Sequence, residues 1–324
     1  MTKPTALITT PVMGLIRRQV SDAFDAHVLY EAADREAMLA DVGKRVEVIC
    51  HGGHGLMIDD ALMARLPALR AISNFGVGYD SVDTKAAAAR GIIVTNTPDV
   101  LTDEVADTAL GLLLMTVREL SKAEQWLRDG KWAKQGDYRL TPYSLRDRSV
   151  GIIGLGRIGK AIARRCEAFG LSISYCGRTR QDGVAYTYFA NVAEMAAAVD
   201  TLIVVTPATA ETTNMINAEV LSALGPRGIL VNIGRGAVVD EPALIAALRN
   251  GTIAAAGLDV MWNEPRINPE LMTLDNAVLL PHVGSASVHT RDGMGQLVVD
   301  NLLAYKNRTA PLTPVPETPF VNWS

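Results

Sequence analysis

Three short segments of this 324-residue chain carry side chains suited to moving a proton beside a bound anion. Asn232-Ile233-Gly234-Arg235-Gly236 follows an apolar run and sets an arginine between two glycines. There a guanidinium fork can closely approach a carboxylate or carbonyl. Gly257 to Pro265 carries Asp259 and Glu264, and Leu279 to Ala286 carries His282 with Gly284 and Ser285 behind it. An imidazole suits general acid catalysis near neutral pH, and a paired carboxylate favours its protonated form. Taken singly, the histidine reads as structural, the Glu-Pro pair as a turn and the arginine as a surface ion pair. Taken together, on successive strand-end loops, Arg235, Glu264 and His282 form a candidate catalytic trio.

A fourth segment indicates what the proton accompanies. Gly154, Gly156 and Gly159 make G-x-G-x-x-G directly after the strand-like Val150-Gly151-Ile152-Ile153 and before the helical Lys160–Phe169. In that strand–turn–helix setting the motif is a dinucleotide fingerprint, with the pyrophosphate on Gly156-Arg157-Ile158. An NAD-type site places an acid at the end of the next strand, here Leu171–Cys176, to hold the ribose 2′-hydroxyl. Gly177, Arg178, Thr179 and Arg180 stand there instead. Without a carboxylate, and with two guanidinium groups, that loop suits a 2′-phosphate. The expected cofactor is therefore NADPH/NADP, with NADH a weaker possibility. Thr206-Pro207 and Ile233-Gly234 are expected beside the dinucleotide, and Asp259 at its carboxamide.

These groups need strands that end together and helices that cover them. Short β-rich runs alternate with Ala-rich helical stretches throughout, which predicts parallel sheets of βαβ units. In the first hundred residues the strands read as Ala6–Thr10, Val46–Cys50, Leu69–Ser73 and Ile92–Asn96. Helices are expected over Asp34–Val42, Asp59–Arg65 and Thr84–Arg90. Past Gly151 the pattern restarts, with strands at Leu171–Cys176, Thr201–Val205, Ile229–Ile233, Ala254–Val260 and Ala277–Leu280. The expected fold is α/β, with two doubly wound parallel-sheet domains: a flavodoxin-like substrate domain and a Rossmann dinucleotide-binding domain. The expected limits are 1–98 plus 288–324 for the first and 99–287 for the second, with crossover helices near 100–120 and 287–307. The polar segment 124–145, holding Trp126, Trp132, Tyr138 and Tyr143, reads equally as an arm onto another subunit or as a cover for its own domain.

Composition narrows the partners. A 48% hydrophobic content with 20% charged residues suits a globular protein, and a formal charge of −4 gives no field for nucleic acid. The N-terminus runs into Ala6-Leu7-Ile8-Thr9 with no long apolar region, so export is not expected. Ala109–Val117 is too short to span a membrane. Cys50, Cys166 and Cys176 lack CxxC spacing, which suggests reduced thiols and a cytoplasmic setting. His51-Gly52-Gly53-His54-Gly55 has two histidines, but no carboxylate or thiolate set stands nearby, so no metal is expected.

The motifs jointly resemble the D-2-hydroxyacid dehydrogenase family, most closely its glyoxylate/hydroxypyruvate and hydroxyphenylpyruvate reductase branch. The resemblance rests on Asn74 through Asp80, Thr97 through Thr102, the fingerprint, Gly234-Arg235-Gly236, Asp259 through Pro265, and Pro281 through Ser285. It implies reduction of a small 2-oxo acid to a D-2-hydroxy acid, with His282 as acid, Glu264 as its partner and Arg235 holding the substrate. It further implies that N–H groups at Val77 and Gly78 bind the substrate carboxylate, near Ser285, and that Thr108, Arg235, His282 and Gly284 border the cofactor site. A homodimer with a closing cleft is also implied. The His51–Gly55 loop departs from the family pattern and is expected as a glycine turn beside the substrate. Two other readings compete: an NADH-linked enzyme of the phosphoglycerate type, which Gly177 and Arg178 oppose, and a dinucleotide-sensing corepressor-like module.

Overall fold

In the computed structural model the chain divides into two compact units, Met1–Leu101 with Ser287–Ser324, and Thr102–Ala286. Residues 3–146 and 148–323 are described, so the limits expected at residues 1 and 324 lie outside the described residues. The chain passes between the units where the long helices Thr102–Arg118 and Val288–Lys306 begin.

The first unit is built on strands β1 (Thr5–Ile8), β2 (Asp25–Val28), β3 (Val46–His51), β4 (Ala71–Asn74) and β5 (Ile93–Thr95). All pair in parallel in the order β2-β1-β3-β4-β5, the flavodoxin-like arrangement. The second holds β6 (Ser149–Ile153), β7 (Ser172–Cys176), β8 (Thr187–Phe189), β9 (Thr201–Val204), β10 (Ile229–Asn232), β11 (Ala255–Leu258) and β12 (Ala277–Leu279). Their parallel order is β12-β11-β10-β9-β6-β7-β8, the Rossmann order with one strand added. The order reverses between β6 and β9, and a ligand crevice belongs at that switch point. Fully buried β1, β9 and β10 explain the unbroken apolar runs that mark them in the sequence.

Helix starts follow from caps. The Asp34, Asp59 and Asp83 side chains accept from the N–H groups of Ala37, Leu62 and Ala86. The first two helices therefore begin one residue later than expected, because the aspartate is the cap. Strands β2 and β8 are absent from the sequence reading. Both are short sheet edges with no fully buried residue, so they lack the apolar run that reveals a central strand.

At the end of β3 the His51 ring is completely buried. Thr9 Oγ1 lies 2.8 Å from Nδ1, Nε2 lies 3.0 Å from Ser81 Oγ, and Ser81 donates to the Gly53 carbonyl at 3.1 Å. A neutral ring with its proton on Nε2 satisfies this chain of bonds. Both ring nitrogens thus bond to hydroxyls. Among the described residues no cluster of three or more His, Cys, Asp or Glu could hold a metal ion.

Burial, with a smaller push from His54, lowers His51 to about 4. The unfolded histidine, near 6.5, therefore binds a proton that the native state refuses. The contribution to stability is complete above that pH and is lost as pH falls toward 4. The loss amounts to about 3 kcal/mol. His51→Gln should shrink the stability difference between neutral and mildly acidic urea titrations by that order. An unchanged difference would refute the burial account.

Candidate active site

The cradle of the second unit forms where β6 meets the helix Arg157–Ala168. A Cβ at Gly159 would sit 2.2 Å from the Gly154 carbonyl oxygen, so helix and turn meet only because this residue is glycine. At Gly156, the helix N-cap, nothing lies within 4 Å of the Cβ position, so space is open there. The first turn of any helix leaves N–H groups without helical acceptors, and these suit a pyrophosphate. Thr206 lies against the turn, its backbone 3.1 Å from a Cβ built at Gly154, and its carbonyl lies 2.7 Å from one built at Gly234. The residues present therefore fit a dinucleotide. Beyond β7, Arg178, Thr179 and Arg180 are exposed, and neither arginine forms an ion pair among the described residues.

Successive strand ends are stitched together past the sheet. Val205 donates to the Ile153 carbonyl, Ile233 to Val204, Asp259 to Asn232 and His282 to Asp259. The sequence-predicted residues of the second unit thus share the carboxyl end of one sheet. Asn232 shapes the arginine loop: its Oδ1 accepts from Gly234 N–H at 3.1 Å and its Nδ2 donates to the Arg235 carbonyl at 2.9 Å. Arg235 itself donates to the Gly234 carbonyl. A Cβ at Gly236 would lie 2.1 Å from the Met261 carbonyl, so this loop packs directly on the segment leading to Glu264.

Glu264 and His282 meet. The carboxylate Oε2 is 2.7 Å from His282 Nδ1, while Oε1 accepts from the Met261 N–H at 2.8 Å. With both oxygens engaged, the carboxylate fixes the ring by its Nδ1 side, which directs acid–base chemistry to Nε2. His282 has φ +54°, a left-handed backbone uncommon for a residue with a side chain. Asp259 holds that backbone. It is buried, and its two oxygens accept from the N–H groups of Val283 and Gly284 at 2.8 and 2.9 Å. Burial pushes its carboxyl upward, against those two bonds. Thr108 reaches the same turn by donating to the Gly284 carbonyl, and Ser285 follows on it, partly exposed.

In the first unit, the loop after β4 turns its carbonyls inward. Asn74 Nδ2 donates to Gly78 O at 2.9 Å, and Asn96 Nδ2 to Val77 O at 2.8 Å. Thr97 exchanges two bonds with Gly76, through its hydroxyl and its own N–H. The N–H groups of Val77 and Gly78 donate to no acceptor among the described residues, an arrangement suited to an anion. Asn74 is fully buried, and its Oδ1 has no partner among the described residues. The asparagines were invisible to sequence reasoning as site residues, as was the clamp role of Asp259. Their only signal is polar residues at the ends of apolar strands.

The NAD binding domain of D-isomer specific 2-hydroxyacid dehydrogenases matches residues 110–284. The hydroxyphenylpyruvate reductase of Plectranthus scutellarioides is 43% identical over 309 residues, covering 95% of this chain and 98% of that protein. The glyoxylate/hydroxypyruvate reductase A of Arabidopsis thaliana is 42% identical with the same coverage. Among solved structures, an NADPH-dependent glyoxylate/hydroxypyruvate reductase from Sinorhizobium meliloti, in complex with NADP and malonate, is 53% identical. It superposes with a TM-score of 0.94, and 98% of each chain is covered. With its two parallel sheets and its strand-end Glu264–His282 pair, the chain belongs to the D-isomer specific 2-hydroxyacid dehydrogenase family.

Proposed function

We propose that the chain reduces small 2-oxo acids, glyoxylate and hydroxypyruvate first among them, to D-2-hydroxy acids with NADPH. The observation that carries this reading is the 2.7 Å Glu264–His282 pair at the strand ends of a dinucleotide-binding sheet. The names of its relatives support the substrate class, and the NADP held by the Sinorhizobium meliloti enzyme supports the cofactor.

Each residue then has a task. Gly154, Gly156 and the start of the helix Arg157–Ala168 would hold the pyrophosphate, with Arg178, Thr179 and Arg180 on the 2′-phosphate. Thr206-Pro207, Ile233-Gly234, Thr108 and Gly284 would line the remainder, with Asp259 at the carboxamide. When bound, the cofactor supplies the hydride. His282 gives its Nε2 proton to the substrate carbonyl oxygen, and Glu264 stabilises the charged ring before transfer. Arg235 holds the substrate, and the N–H groups of Val77 and Gly78 receive its carboxylate. Ser285 is assigned to the same substrate.

We further propose a homodimer. The helices Leu120–Arg128 and Lys131–Gln135 bury none of their residues, and Trp132 on the second and Leu140 beyond it are 57% and 95% exposed. Such apolar exposure on one arm favours packing on a second copy. No helix among the described residues is long and apolar enough to cross a membrane. The three cysteines are buried free thiols, which supports a reducing, cytoplasmic setting.

The test is an initial-rate assay of nicotinamide oxidation, NADPH against NADH, with hydroxypyruvate, glyoxylate and phenylpyruvate. Turnover biased to NADPH is expected. Tight dinucleotide binding with no turnover of any of the three acids would refute the reading.

A further inference from the structure

The 2′-phosphate loop depends on three bonds outside itself. Tyr175 stands on β7 directly opposite Tyr188 on β8, their ring centroids 5.3 Å apart. Tyr175 is 1% exposed, so its hydroxyl needs a partner inside the protein. It accepts from the backbone N–H of Gln181 at 2.7 Å, which ties down the far end of the loop. The Tyr188 hydroxyl donates to the Gly177 carbonyl at 3.2 Å, which ties down the near end. The Gln181 side chain then crosses to the glycine fingerprint, where its Nε2 donates to the Leu155 carbonyl at 2.8 Å.

Arg178, Thr179 and Arg180 are therefore carried on a span pinned at both ends and fastened to the turn assigned to the pyrophosphate. Long exposed arginines lose rotamer freedom when they grip an anion. A fixed backbone beneath them reduces what must be ordered on binding. An unpinned loop would leave that cost to be met by the 2′-phosphate contacts alone. A cofactor without a 2′-phosphate makes no use of the guanidinium groups and is indifferent to their placement.

We propose that Tyr175, Tyr188 and Gln181 are positioning residues for coenzyme choice. They hold the Arg178–Arg180 loop against the fingerprint turn so that it selects a 2′-phosphorylated dinucleotide. The inference rests on the NADPH reading. It also gives β8 a function: this short edge strand brings Tyr188 beside Tyr175.

Calorimetric titration of wild type, Tyr175→Phe, Tyr188→Phe and Gln181→Leu with NADP⁺, NAD⁺, 2′,5′-ADP and 5′-AMP tests it. Each variant deletes one bond and keeps most of the side-chain volume. Dissociation constants for NADP⁺ and 2′,5′-ADP should rise about tenfold, the worth of one hydrogen bond to a well-placed loop, while those for NAD⁺ and 5′-AMP stay within about twofold. Weakening of all four ligands alike, which general damage to the sheet would produce, would overturn the inference. So would unchanged NADP⁺ binding in all three variants. Equal binding of both dinucleotides by the wild type would instead strike the cofactor reading, and this inference with it.

Discussion

His282→Ala is expected to lower turnover of hydroxypyruvate by at least ~100-fold, the lower end for loss of a general acid. Dinucleotide affinity should fall far less than turnover. The expectation rests on geometry. A carboxylate at 2.7 Å grips Nδ1, and its second oxygen is held by the Met261 N–H, so the ring has one defined orientation. The backbone beneath the ring is also held, with the His282 N–H on the Asp259 carbonyl and Asp259 on the two residues that follow. A left-handed residue in such a clamp is a mark of a site in which strain is tolerated for placement. Steady-state rates of a purified, folded variant, with NADPH binding measured separately, make the check. Turnover near the wild-type level at the same pH would remove His282 from the acid's role.

Glu264 should behave differently from His282. Glu264→Gln keeps a group that can accept from Nδ1 but removes the negative charge beside the ring. Its loss of turnover should be smaller than that of His282→Ala. An equal loss would mean that the carboxylate acts chiefly through the Met261 bond, as a brace for its loop.

The parts of this site that were legible in the sequence share a physical cause. Central parallel strands are buried on both faces, so β6, β9 and β10 show as apolar runs, and the residues following them must lie at one end of the sheet. Gly154, Gly159 and Arg235 were readable for that reason, whereas His282 follows the edge strand β12 and was readable from its apolar run into a small-residue turn. What escaped was polar and indirect. Asn74 and Asn96 act through carbonyls of a loop close in sequence to one and distant from the other, and no periodicity marks them. Asp259 was legible as a site residue, but its bonds to the N–H groups of Val283 and Gly284 join segments more than twenty residues apart. The edge strands β2 and β8 escaped because Asp25-Ala26-His27-Val28 and Thr187-Tyr188-Phe189 contain no apolar run. Tyr188, which lies on β8, escaped with it.

Arg178→Ala is expected to weaken NADPH by ~10- to 100-fold, the range for losing charge-assisted bonds to a phosphate, and to leave NADH little changed. The argument turns on what the arginine lacks as much as on what it offers. It is exposed, it forms no ion pair among the described residues, and no acid occupies Gly177 beside it. Its charge is thus not neutralised by a fixed carboxylate, and a dianionic ligand meets attraction without repulsion. Gly177→Asp probes the other half of the same idea. Nothing lies within 4 Å of the Cβ position there, so the side chain can be accommodated without displacing the sheet. A carboxylate at that point should repel the 2′-phosphate and offer an acceptor to a free 2′-hydroxyl, lowering NADPH affinity while raising that for NADH. Titration of both cofactors against the two variants separates charge from shape. If Arg178→Ala weakens NADPH and NADH equally, the arginine is a brace for its loop. The selectivity must then come from Arg180, Thr179 and the missing carboxylate.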